Sequence, residues 1–312
     1  MVVNAMSDLI EENNFSSLDD EWMRKLRDKF IIAVYGNEQD KESVYEGIGY
    51  CYQCYAPASL YKYYSDSTRN LENVMNNKMW YSAPSKFNDI FDCDIIVDEE
   101  KVSKSILEMC PSMKGMRVGS PMWKSFKADI RRSIKTTQDM FTRMRSEMGI
   151  ACLSELDDSL LMWAHYANNH AGMCVEYELL EINHQLLFTP IPIIYSEERV
   201  SFNSFNTSTV ERDATKMFVE SLTTKSPDWN YEKEWRIIRD DGACGERWDI
   251  EEKGALLDMI KPSSIVLGYM AKPEFEKTVQ SYCNKNRINL FKMQKDSKMF
   301  KLVKTPLLEF DD

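Results

Sequence analysis

The chain has 312 residues, 50 acidic and 39 basic, giving a formal net charge of −11, with 43% apolar and 12% aromatic residues. That composition suits a globular protein with one large core or two modest ones and excludes a disordered chain. The acidity excludes adhesion to nucleic acid through the whole surface, and no stretch nears the ~18 consecutive apolar residues of a membrane span.

The opening "MVVNAMSDLIEENN" lacks the charged start and apolar run of a secretory signal. Eight scattered cysteines then read as reduced, mostly buried thiols of a cytoplasmic protein. Cys51 and Cys54 form a C-x-x-C without the second ligand pair that structural zinc requires. "SSLDDEWMRKLRDKFIIAVYG" predicts an amphipathic helix. It has a Ser/Asp cap, it places Trp22, Leu26 and Phe30 on one face, and it ends at Gly36. Residues 1–50 are expected to be a helical segment, and 51–312 a single α+β domain with a helical insertion at about 101–148.

"LYKYY" reads as a strand, Leu71, Val74 and Met75 mark a short helix, and "MWYS" is a second strand closed by Pro84. The loop "PSKFNDIFD" reads as a fixed turn. In the insertion, Met122, Phe126, Ile130 and Ile134 recur every four positions, as on a helix face. Between residues 114 and 145, Lys114, Arg117, Lys124, Lys127, Arg131, Arg132, Lys135, Arg143 and Arg145 outnumber the carboxylates. That excess fits either a solvated helix face or a footprint for nucleic acid.

Next, "ACLS" is a strand, and Asp157 or Asp158 caps a helix to about Asn169, with Gly172 as its C-terminal glycine. "MCVEYE", "IPIIYS", "EWRIIRD", "SIVLGYM" and "INLFKM" are further strands. Helices are expected near 211–223 and from about Lys272 to Asn284. The excess of strands after residue 50 predicts an α+β fold with a mixed or antiparallel sheet.

Phosphate-binding glycine loops and the nucleophile elbow are absent, and His165, His170 and His184 are the chain's three histidines. Cys152 or Cys174 beside His165 is one arrangement for a nucleophile, with a buried core thiol as the alternative. Glu232 and Glu234, two apart in "WNYEKEWRIIRD", project to one face if both lie on a strand. They are then either catalytic carboxylates or an exposed edge paired with Lys233, Arg236 or Arg239. Asp89, Asp92 and Asp94 with Glu234 would suit a metal-dependent nuclease.

"LYKYY", "MWYSAPSKFNDIFD", "CLSELDDSLLMWAHYANNHAGMCVEY" and "WNYEKEWRI" resemble, in order, the blocks of family 2971 of the bacterial domains of unknown function, over about Leu60 to Phe300. The order is also distantly similar to ADP-ribosyltransferase-like folds, which include DNA-modifying and NAD-degrading toxins. That resemblance implies a NAD-consuming enzyme, an ADP-ribosyltransferase or NAD glycohydrolase, acting in anti-phage defence or as a toxin. Glu234 would be its catalytic carboxylate and Glu232 would orient the acceptor. Lys62 would meet the pyrophosphate and Tyr81 would stack on nicotinamide, with Tyr63, Ser82, Trp163, His165 and Tyr166 around the nucleotide. Lys62 departs from the Arg or His of those folds. A non-enzymatic sensor or adaptor using the aromatic blocks is the alternative.

Overall fold

The computed structural model describes residues 15–35, 38–109, 115–186, 189–202, 210–240 and 244–310. Contacts divide the chain into two compact units, Met1–Ala56 and Pro57–Asp312. Helices α1 (Phe15–Tyr35) and α2 (Glu38–Tyr55) make up the first, so helix continues past residue 50. Leu26 and Phe30 are buried as their spacing predicts, and the Trp22 ring stacks on Tyr55 at 5.8 Å. The expected Ser/Asp cap falls inside α1, which already includes Phe15, and Gly36 lies outside the described residues.

The second unit is α+β. Strand β1 (Ser59–Tyr64) leads through α3 (Thr68–Met75) to β2 (Lys78–Ser82). Ser67 caps α3 by accepting from the Asn70 amide. After β3 (Ile96–Val97), the helical insertion consists of α4 (Glu99–Met109) and α5 (Pro121–Ser146). Ser120 accepts from the Trp123 amide, and Pro121 follows it, where a missing N–H costs nothing. Phe126, Ile130, Ile134 and Phe141 bury one face of α5 against Phe202 and Phe218, while Met122 in the first turn is exposed.

Strand β4 (Met148–Ser154) is followed by α6 (Leu160–Tyr166), β5 (Met173–Glu178) and α7 (Leu179–Leu186). The cap of α6 is Ser159, which accepts from the Met162 amide, rather than Asp157 or Asp158. The helix ends at Tyr166, three residues before Asn169, and the left-handed turn after it uses Asn168, Asn169 and His170, with φ of 47°, 51° and 67°. Gly172 therefore serves another purpose. A β-carbon there would sit 2.0 Å from the Tyr64 carbonyl oxygen, so only glycine lets β5 start beside β1.

"IPIIYS" breaks into β6 (Ile191–Pro192) and β7 (Ile194–Tyr195), because the two pieces pair with different partners. Then come β8 (Ser201–Phe202), α8 (Val210–Leu222), β9 (Thr224–Lys225) and β10 (Glu234–Asp240). The chain ends with β11 (Trp248–Asp249), β12 (Gly254–Asp258), β13 (Ser264–Leu267), α9 (Pro273–Asn286), β14 (Asn289–Lys295) and β15 (Leu302–Leu308).

An 11-stranded, mostly antiparallel sheet runs β11-β12-β2-β4-β1-β5-β13-β14-β15, with β10 pairing β4 and β6 off this path. The pair β13–β14 is parallel, with α9 as the crossover between them. Strand β4 pairs along its whole length with β10 but meets β1 at one register pair, Tyr61–Ser154. The candidate site lies where these three strands come together.

Candidate functional site

Alternation along β10 sends Glu234 and Arg236 to one face, and both are buried. Arg236 uses every N–H of its guanidinium. Nε donates to Glu234 Oε1 at 2.7 Å and Nη2 to Glu234 Oε2 at 3.1 Å. The Asp92 carboxylate accepts from Nη1 at 2.9 Å and Nη2 at 2.7 Å, and Nη1 also reaches the Leu222 carbonyl at 2.9 Å. The Phe87 ring packs on the guanidinium, 5.3 Å from ring centroid to Cζ.

Lys225, at the end of β9, joins the second carboxylate to this network. Its Nζ donates to Glu232 Oε2 at 2.6 Å and Glu234 Oε2 at 2.9 Å and lies 4.8 Å from the Trp229 ring centre. Glu232 is not on the strand, as its spacing suggests. It closes a 3₁₀ turn, Pro227–Glu232, and Lys233 at φ 43° turns the chain into β10. The turn is clamped by Ser154, whose Oγ donates to the Glu232 carbonyl at 2.6 Å. Glu232 Oε1 accepts from the Tyr166 hydroxyl at 2.5 Å, and Asn88 Nδ2 donates to that hydroxyl at 3.2 Å.

Asp92, Lys225, Glu232, Glu234 and Arg236 are all buried, which is tolerated because each charge has an opposite partner. The exposed-edge alternative is thereby overturned. β10 has β4 on one side and β6 on the other, and Glu234 pairs with Arg236 in the interior.

A cavity of ≈180 Å³ opens onto this network. Tyr61, Lys62 and Tyr63 of β1 form one wall, with Cys152 and Leu153 of β4. Phe87, Asn88, Met162 and Tyr166 form another, and Asp92, Lys225, Glu232 and Glu234 the charged floor. Lys225 also lines a neighbouring hollow of ≈180 Å³, together with Phe91, Arg199 and Ser226. Lys62 Nζ donates to the Cys152 carbonyl at 2.6 Å, which leaves two of its three donors for a ligand.

Electrostatics separates the two glutamates. Burial alone would raise Glu234, but the Arg236 and Lys225 charges outweigh it and hold this carboxyl far below the ordinary range. Burial dominates at Glu232 and raises it, opposed by Lys225. Burial also lowers Lys62, against the pull of Cys152, Glu234 and Glu232. In Lys225 burial is overcome by Glu234, Glu232 and Asp92, which keep the ammonium protonated.

Of the nine residues expected around a nucleotide, Lys62, Tyr63, Tyr166, Glu232 and Glu234 meet at the cavity, and four do not. Tyr81 is buried within β2 opposite Ala255, and Ser82 pairs with Gly254 and Ile150 in the sheet. Trp163 is fully buried, donating from Nε1 to the Asp157 carbonyl at 2.7 Å. His165 is exposed, 6.2 Å from the Tyr231 ring and 6.3 Å from Tyr166. It does not line the cavity beside Cys152, and Cys174 sits in the core with Tyr63 and Trp163, so no cysteine–histidine pair assembles at this site.

Among the described residues no group of three or more His, Cys, Asp or Glu is placed to hold a metal. Asp92 and Glu234 face cations already in place, and Asp94 pairs with Arg145 and Arg199. In the basic stretch, Lys127 and Arg131 pair with Glu99, Arg132 with Asp129, Lys135 with Asp139 and Arg143 with Glu147. Lys114 lies outside the described residues.

Sequence reasoning missed Lys225 altogether and met Asp92 and Arg236 in other roles. The one usable signal was Arg236 two residues after Glu234, where a strand puts both on one face. Two-residue strands such as β9 carry no periodicity that would have flagged Lys225.

The segment that builds most of this floor is also the one with a recognisable relationship. The family described as "Protein of unknown function (DUF2971)" matches residues 162–237. The DUF2971 match includes Tyr166, Lys225, Glu232, Glu234 and Arg236 and leaves Lys62 and Asp92 outside, so it is narrower than the stretch from Leu60 to Phe300 expected from the sequence blocks. No curated protein and no solved structure matches the chain. Among the described residues no helix is long and apolar enough to cross a membrane.

Proposed function

We propose that the cavity accepts the base–ribose end of a nucleotide and that Glu232 acts at its N-glycosidic bond, with NAD the substrate class. The observation that carries this reading is the setting of Glu232: a buried carboxyl, raised by burial, held by Tyr166 and Lys225 and facing a cavity with aromatic walls. Tyr61, Tyr63, Phe87 and Tyr166 suit a flat heteroaromatic ring. When the bond between ribose and nicotinamide breaks, its electron pair leaves with the ring and the sugar becomes an oxocarbenium-like cation. The Glu232 carboxylate stabilises that cation and takes the proton of the incoming water or acceptor. Lys62 supplies two donors to phosphate or ribose oxygens. The roles of the glutamates are thus exchanged relative to the resemblance. Glu234, accepting from Arg236 and Lys225, fixes the floor rather than reacting.

The test is nicotinamide release from NAD by the purified protein. Glu232→Gln is expected to lower it by at least ~100-fold in a folded protein, the lower end of a general acid–base contribution. In the wild type the acid limb of the rate should lie above the ordinary glutamate value, because the ionised form acts and burial raises the group. Absence of release, or release unchanged in Glu232→Gln, refutes the assignment.

One observation favours a second reading, a binding module that consumes nothing. At ≈180 Å³ the cavity is smaller than the ~300–1,000 Å³ of drug-sized ligand sites. Thermal stabilisation by a nucleotide or base recovered intact would support this version.

A further inference from the structure

The hairpin joining β14 and β15 borders a second hollow of ≈600 Å³ that shares no lining residue with the cavity above. Leu160, Tyr269, Met270, Met299 and Phe300 supply apolar surface, and Lys295, Lys298 and Lys301 line it as well. Its walls are held in place before any ligand arrives. On one side the Met270 amide donates to the His170 carbonyl at 2.8 Å. On the other, Asp296 Oδ1 accepts from the amides of Lys298 at 2.7 Å and Met299 at 2.8 Å, so this carboxylate is occupied as the cap of the turn.

The charge here runs against that of the whole protein. In a chain of net charge −11, three lysines meet with one carboxylate among them. The Lys298 and Met299 amides, helped by the Lys301 charge, hold the Asp296 carboxyl below its ordinary value, and Lys295 Nζ lies 4.7 Å from the Tyr269 ring centre. Beside them Phe300 is completely exposed, and Met299 and Met270 are more than half exposed. Apolar side chains at the tip of an ordered turn, beside three lysines and a single carboxylate, complement a molecule with an anionic head and an apolar body. Methionine adapts its shape to such a body.

We propose that this hollow binds a small amphiphilic anion, its head group against Lys295, Lys298 and Lys301 and its hydrocarbon or aromatic body on Met270, Met299 and Phe300. The experiment is titration calorimetry of the whole protein with decanoate, with acetate and decanol as probes lacking one half of the chemistry. Decanoate is expected to bind at one site and to weaken with added salt, while acetate and decanol bind at least about tenfold more weakly. The double variants Lys298→Glu/Lys301→Glu and Met299→Ser/Phe300→Ser change exposed side chains and are expected to keep the wild-type melting temperature. Each is expected to lose about tenfold or more in decanoate affinity. Equal binding of decanol, unchanged affinity in the charge-reversed variant, or binding confined to vesicles of anionic phospholipid would each overturn the proposal.

Discussion

Arg236 has all five N–H groups committed, to two carboxylates and a backbone carbonyl, with no contact to water. Such a group resists having any one partner removed, because an uncompensated buried charge remains. Glu234→Gln is therefore expected to cost ~3–5 kcal/mol in urea unfolding, the usual penalty for breaking a buried pair from one side. The pH dependence has a definite sign. Glu234 is held below its unfolded value of 4.5, so its contribution is complete above that pH and is lost as pH falls through the folded value. The variant should lack this part of the acid slope, and a slope unchanged from wild type below pH ~4.5 would contradict the assignment. Glu232, one turn of chain away, is expected to differ, since its carboxyl is raised rather than lowered. Two glutamates of one short motif are thus shifted in opposite directions by burial and by their partners.

At the level of elements, the short link between those glutamates is strained. Lys233 sits at φ 43°, ψ 55°, a left-handed conformation that costs a residue with a β-carbon ~1–2 kcal/mol. Lys233→Gly is expected to recover about 1 kcal/mol, seen as a higher urea midpoint at unchanged slope. A lower midpoint would mean that the lysine side chain contributes more than the strain removes. The same link marks the limit of what the sequence reveals. Aromatic and β-branched runs were sufficient for β1, β2, β4, β5, β10, β13 and β14, because each carries a side-chain pattern of its own. Nothing in "NYEKEW" says that the strand starts at Glu234 rather than before Glu232, since lysine has no preference for a left-handed turn. Likewise, Asp157 and Asp158 are as good caps as Ser159 in composition, and only the path of the chain selects the serine. Of the candidate site, Lys62, Tyr63, Tyr166, Glu232 and Glu234 stand out in the sequence. Lys225 and the pairing of Asp92 with Arg236 do not, because Lys225 and Asp92 lie on short pieces that fold back and carry no pattern.

For the whole molecule, every residue of the candidate site belongs to the Pro57–Asp312 unit. Expressed without residues 1–56, that unit is expected to fold cooperatively and to keep whatever ligand affinity the full chain has, as thermal-shift titration of both would reveal. Loss of a cooperative transition in the shorter chain would show that the first unit is needed for stability. The α+β class followed from strand frequency and mixed spacing. The order of the sheet did not, because β10 joins β4 through contacts eighty residues apart in sequence that no local pattern encodes. Several basic residues between 114 and 145 likewise meet carboxylates only in the folded chain: Lys127 and Arg131 reach Glu99 of α4 and Arg145 reaches Asp94.

Lys225 lines two hollows of equal size, ≈180 Å³ each. It is a wall as well as a counter-ion. Cut back to a methyl group, it would enlarge the space on both sides and leave Glu232 and Glu234 without their shared ammonium, so the shape of both hollows depends on the length of this one side chain as much as the floor depends on its charge.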